Sequence, residues 1–161
     1  MTCVACGASM KTKRENFRYE AVGLPGITLH GVEVSRCQRC GEYEVAIPNI
    51  EELHRAIAHA VIAKPQRLTP AEIRFLRKYL GWSGGDFAAH IGSAPETVSR
   101  WEHGSAAMGV TADRLLRLMV ASRQPAADYS LATLRIVART QPKPIRLRVE
   151  VADGHWRAQA A

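Results

Sequence analysis

The chain has little of what marks membrane, secreted or catalytic proteins. No run of about 18 apolar residues occurs, so it offers no candidate membrane span. The N-terminus, Met1-Thr2-Cys3-Val4-Ala5-Cys6, lacks a basic stretch followed by an apolar core. No secretory leader is therefore expected, and a cytoplasmic, reducing setting is the default. No glycine-rich phosphate loop follows a strand, and no nucleophile is patterned with a base. The expectation is a protein that is not an enzyme. Cysteine is scarce, with four in 161 residues.

What is present is an ordinary globular balance, 47% hydrophobic and 23% charged, with room for one medium domain or two small ones. The net charge of +7 is unevenly placed. Residues 1–64 carry 8 Lys/Arg against 7 Asp/Glu, and residues 65–161 carry 14 against 8. A basic second half suggests a polyanionic partner.

The four cysteines stand as Cys3-Val-Ala-Cys6-Gly7 and Cys37-Gln-Arg-Cys40-Gly41. Two C-x-x-C pairs at this separation are a metal pattern, because each tight turn aims two thiolates at one ion. The glycine after each pair permits positive φ and brings backbone N–H groups towards sulfur. No ligand position is left open, so one structural Zn²⁺ per chain is expected on Cys3, Cys6, Cys37 and Cys40. Iron in a rubredoxin-like site uses the same ligand set, and spacing leaves it open. Disulfides are disfavoured in a reducing compartment. A domain of about 50 residues is near the size at which a core alone fails. Structural zinc supplies roughly 10–16 kcal/mol of apparent binding free energy at neutral pH.

Between the cysteine pairs, Phe17, Tyr19 and Ala21 alternate with polar residues. A Gly23-Leu24-Pro25-Gly26 turn follows, then Ile27-Thr28-Leu29 and Val32-Glu33-Val34. This reads as a small antiparallel sheet. Asn49 with Glu52 signals a helix start, and Ile50, Leu53, Ile57 and Val61 share one face. Thr69 with Glu72, and Pro70 at the first helical position, start the next helix. Further helices are expected from Ser83 to Gly92, from Ala94 to Glu102, and from Thr111.

The fold class expected is α+β. A zinc-ribbon-like β domain occupies 1–48, a connecting helix and linker 49–65, an all-α helix-turn-helix domain 66–123, and a C-terminal extension 124–161. In the extension, 124–127 reads as a linker and 129–138 as a short helix. Ile145, Leu147, Val149 and Val151 alternate as a strand, and Asp153-Gly154 signals a hairpin. A lone hairpin is marginal in water, so it is expected to pack on the chain or on a dimer partner.

The helix-turn-helix reading rests on spacing. Ala88 is small where two helices approach, Gly92 suits a positive-φ turn, and Val98 and Trp101 face inward. Residues 68–119, ending in Thr97-Val98-Ser99-Arg100-Trp101-Glu102-His103-Gly104, resemble the XRE/Cro type of helix-turn-helix. With the paired C-x-x-C-Gly segment in front, residues 1–120 resemble the YgiT/MqsA type of zinc-finger antitoxin and its regulator relatives. The resemblance implies a homodimer that binds a palindromic operator and represses its own operon. It also implies a zinc domain that holds a ribonuclease toxin. A stand-alone regulator with no toxin partner is the alternative.

Glu96 and Arg100 match the family's base-reading positions. Arginine donates twice to guanine O6 and N7. Glu96 either accepts from cytosine N4 or serves as a favourable charge at a helix N-terminus. Thr97 and Ser99 are within reach of phosphates or base edges. Gly84 and Gly85 allow close backbone approach, although Gly84 stands where the family often has glutamine. The expected DNA-binding set is Gly84, Gly85, Pro95, Glu96, Thr97, Ser99 and Arg100. Arg77 matches a position that pairs with Glu102.

Overall fold

The computed structural model describes residues 1–123 and 137–161 and is α+β. The expected linker at 124–127, and the expected helix up to residue 136, lie outside the described residues. The last two residues assigned to that helix, Val137 and Ala138, form a buried turn.

Strands β1 (Met10–Arg18), β2 (Ile27–Cys37) and β3 (Tyr43–Ala46) come first, followed by helix α1 (Ile50–Ala63). Helices α2 (Pro70–Tyr79), α3 (Gly84–Ile91), α4 (Pro95–His103) and α5 (Val110–Arg123) follow. Strands β4 (Leu147–Ala152) and β5 (His155–Ala160) close the chain. Strand β1 starts well before Phe17, where the sequence pattern becomes visible.

Strand β2 is the hub of the sheet. β1 runs antiparallel along one edge, from Met10↔Cys37 to Arg18↔Thr28. The opposite edge is shared. β3 pairs with it over Glu33–Arg36, and β4 pairs in parallel over Ile27–Leu29. The buried face of β2 slips phase, with Ile27 and Leu29 inward and then Val32 and Val34. The slip falls at Gly31, which has φ +66°, opposite an irregularity between Glu15 and Phe17. An extra residue in one strand turns every later side chain to the other face. Asn16 Oδ1 accepts from the Gly31 N–H at 3.3 Å and steadies this bulge.

The C-terminal hairpin is no appendage. It contributes two of the five strands and turns at Asp153 and Gly154, both at positive φ. The Trp156 indole N–H donates to Pro48 O at 2.7 Å, and His155 Nδ1 lies 2.8 Å from Glu52 Oε1. Both contacts fix the hairpin to the start of α1.

Helix α1 starts at Asn49, whose side chain accepts from the Glu52 N–H. It buries Leu53, Ile57, Ala58, Val61 and Ile62, within a hydrophobic cluster that also takes residues from the sheet, α2, α3, α4 and α5. Full burial of such aliphatic side chains stabilises by about 1.5–3 kcal/mol each.

The boundary expected between residues 65 and 66 is spanned by a buried polar joint. The Arg117 guanidinium, fully buried, donates to Asp113 Oδ1 (2.6 Å) and to the carbonyls of Ile62, Lys64 and Gln66. Asp113 Oδ2 accepts the Leu68 N–H at 2.7 Å. Lys64 Nζ donates to Glu72 Oε2 (2.6 Å) and to Lys143 O (2.5 Å). The other Glu72 oxygen accepts the Ile145 N–H. Burial pulls the Lys64 ammonium below its usual range, and Glu72 opposes that pull. The network satisfies each charge it buries, as buried charges require.

Candidate metal centre and nucleic-acid interface

The two C-x-x-C-Gly segments fold into matching turns. The Cys3 N–H donates to Ala8 O and the Gly7 N–H to Cys3 O, both at 2.9 Å. The Cys37 N–H donates to Glu42 O (2.8 Å) and the Gly41 N–H to Cys37 O (3.1 Å). Gly7 and Gly41 sit at φ +72° and +79°, a region glycine enters without a Cβ clash. The pairing Met10↔Cys37 sets the turns side by side at one end of the β1–β2 ladder.

All four sulfurs lie within 4.8 Å of one another. Cys3 Sγ is 3.5 Å from Cys40 Sγ, and Cys6 Sγ is 3.5 Å from Cys37 Sγ. A tetrahedral ion with Zn–S bonds of about 2.3 Å separates its sulfurs by about 3.8 Å, so the group fits such an ion. All four cysteines are free. Backbone N–H groups of Cys40 and Arg39 hold the Cys37 thiol down to about 6. At Cys40 the Glu42 N–H pulls down, but the other three sulfurs outweigh it and push that thiol up to about 12. Four thiolates this close need a cation to coexist.

The centre has its own small cluster of Cys3, Met10 and Cys37, with Cys6 and Ala8 against it, separate from the main core. A metal ion held by this group would fasten one end of the sheet. The bulk of the sheet is held by α1 and the hairpin.

The second candidate surface is built by α3 and α4. Ser83 caps α3 through a reciprocal pair with Asp86, and Gly92 ends it at φ +69°. The N–H of Gly92 reaches back to α3 carbonyls, and α4 starts three residues later at Pro95. Ala88, Val98 and Trp101 are buried. Pro95, Glu96, Ser99 and Arg100 are exposed, and Thr97 is half-buried. Residues 96, 99, 100 and 103 recur at the spacing of one helical face. Among the described residues no side chain pairs with Glu96 or Arg100. Ser99 Oγ lies 3.4 Å from His103 Nδ1, which also donates to Ser99 O at 2.7 Å. Gly84 is half-buried and Gly85 exposed in the first turn of α3, and a Cβ at Gly84 would meet nothing within 4 Å.

Several side chains hold these helices in place. The Arg77 guanidinium donates to both Glu102 oxygens (2.5 and 3.0 Å) and to Trp82 O (2.8 Å). That pairing was expected from sequence and is present. Arg74 donates to Glu102 O at 2.7 Å. Trp82 stacks on His90, with centroids 4.0 Å apart. The Arg74 and Trp82 contacts, and the Arg117–Asp113 pair, escaped the sequence reading. For the last a signal existed, since Asp113 and Arg117 lie on the same helical stripe as buried Leu116 and Val120.

No described helix is long and apolar enough to cross a membrane. In comparisons with known proteins, no family model, curated protein or solved structure matches this chain. The resemblance drawn from its motifs therefore stands on those motifs alone.

Proposed function

We propose that this chain is a sequence-specific DNA-binding repressor that carries one structural zinc ion on Cys3, Cys6, Cys37 and Cys40. One observation carries the reading. On α4 the residues that recognition chemistry needs, Glu96, Ser99 and Arg100, are exposed, while Val98 and Trp101 on the same helix are buried. The ordered αL turn at Gly92 supports taking α3–α4 as a helix-turn-helix. In that mode Arg100 donates to guanine in the major groove, and Glu96 accepts from cytosine or tunes the helix end. The first turn of α3, with Gly84 half-buried and Gly85 exposed, lies along the phosphate backbone together with Pro95, Thr97 and Ser99. The chain acts as a cytoplasmic homodimer on a palindromic operator, with recognition helices about 34 Å apart. The resemblance to zinc-finger antitoxins extends the proposal to autoregulation and to a ribonuclease toxin held by the metal-bearing part.

Fluorescence anisotropy on DNA from upstream of the chain's own gene tests this. Affinity should fall at least about a hundredfold between roughly 50 and 200 mM salt, because phosphate contacts release counterions. A nearly flat salt response would contradict DNA binding. Copurification with the product of an adjacent ribonuclease gene tests the toxin.

A further inference from the structure

The four sulfurs of the metal group are unevenly covered. Cys3 and Cys37 are buried and Cys6 is half-buried, but Cys40 is exposed. Both 3.5 Å sulfur contacts, Cys3–Cys40 and Cys6–Cys37, run between the turns rather than within one. Of the four sulfurs, the exposed one is the one a hydroperoxide in solvent reaches first, and exposure is one of the conditions that select which cysteine is oxidised. We propose that Cys40 is an oxidation site through which a hydroperoxide empties the metal centre and cross-links its two turns, with Cys3 as the resolving thiol. The proposal rests on reading the four cysteines as a zinc centre.

The chemistry balances with hydrogen peroxide as oxidant. The Cys40 sulfur attacks one peroxide oxygen, the O–O bond breaks, and the departing hydroxide takes a proton to become water. Cys40 is now a sulfenic acid. The Cys3 sulfur attacks the Cys40 sulfur, the S–S bond forms, the S–O bond breaks, and a second hydroxide leaves as water. Two thiolates have lost two electrons and the peroxide has gained them. Cys6 and Cys37 repeat the sequence with a second peroxide, and with no thiolate left the ion departs as the aqueous cation. Because the metal cluster is separate from the main core, the two cross-turn bonds keep the sheet end closed, and α3–α4 stay folded.

The test uses the full-length, zinc-loaded chain, with metal content measured first. Limiting N-ethylmaleimide followed by mass spectrometry should label Cys40 before the other three. One equivalent of hydrogen peroxide, then digestion without reductant, should yield the Cys3–Cys40 peptide. Excess peroxide should add Cys6–Cys37 and release all the zinc into a colorimetric chelator. First labelling at another cysteine, disulfides within a turn, or zinc retained under excess peroxide would each overturn the proposal. Reduced protein that never carries zinc would sink the metal reading itself, and the proposal with it.

Discussion

Arg77 ties three helices with one side chain. Two of its nitrogens grip the Glu102 carboxylate at the end of α4, and the third holds Trp82 O just before α3. The hydrogen bond to Glu102 raises the Arg77 guanidinium above its usual value. Glu102 is 8% exposed, so loss of Arg77 leaves a carboxylate that water barely reaches with only the longer 3.7 Å contact to Arg74 Nε. Breaking such a pair on one side costs about 3–5 kcal/mol. Arg77→Ala should therefore lower the urea midpoint sharply, and an unchanged midpoint would contradict this account. Arg77 was legible in the sequence only through resemblance. Asn49 and Thr69 were legible directly, because a cap is made with residues three positions away. At Arg100 the sequence supplied the residue type and the structure adds its exposure.

At the scale of elements, local patterns were readable and distant partners were not. The five helices among the described residues begin within a residue or two of the expected starts, since caps and glycines act locally. The strand at Leu147–Ala152 announced itself by alternation, but alternation does not name a partner. Its parallel pairing with Ile27–Leu29 joins the two ends of the chain. The short strand Tyr43–Ala46 carried too few residues to show a period. The segment taken as a linker showed its Pro65, but the grip on its carbonyls comes from α5, over fifty residues away. Arg117→Ala should remove that grip and leave Asp113 buried without its cation. The expected loss is about 3–5 kcal/mol in chemical denaturation. A variant as stable as the parent would show that the joint contributes little.

For the whole molecule, one core shared by the sheet, α1 and the later helices changes what a metal on the four cysteines would do. A four-cysteine domain read alone needs its ion to fold, whereas here the sheet also rests on α1 and the hairpin. Chelation should expose the amides of residues 3–10 and 37–46 to rapid hydrogen exchange while α1 and α5 stay protected. Loss of protection throughout would instead make the ion a requirement for the entire fold. The shared core also means that the sheet carrying the four cysteines and the α3–α4 surface are parts of one packed body. A partner on the sheet would thus hold a fixed position relative to that surface.

In the proposed mode α4 reads DNA sequence through Arg100. In vitro selection from a random duplex library, run in parallel on the parent chain and on Arg100→Ala, tests it most directly. The parent should enrich a two-fold symmetric site with half-sites about one helical turn apart. The variant, with fold and zinc content unchanged, should lose preference at a guanine within each half-site. Failure of the parent to enrich any sequence, or an identical site from both proteins, would contradict it.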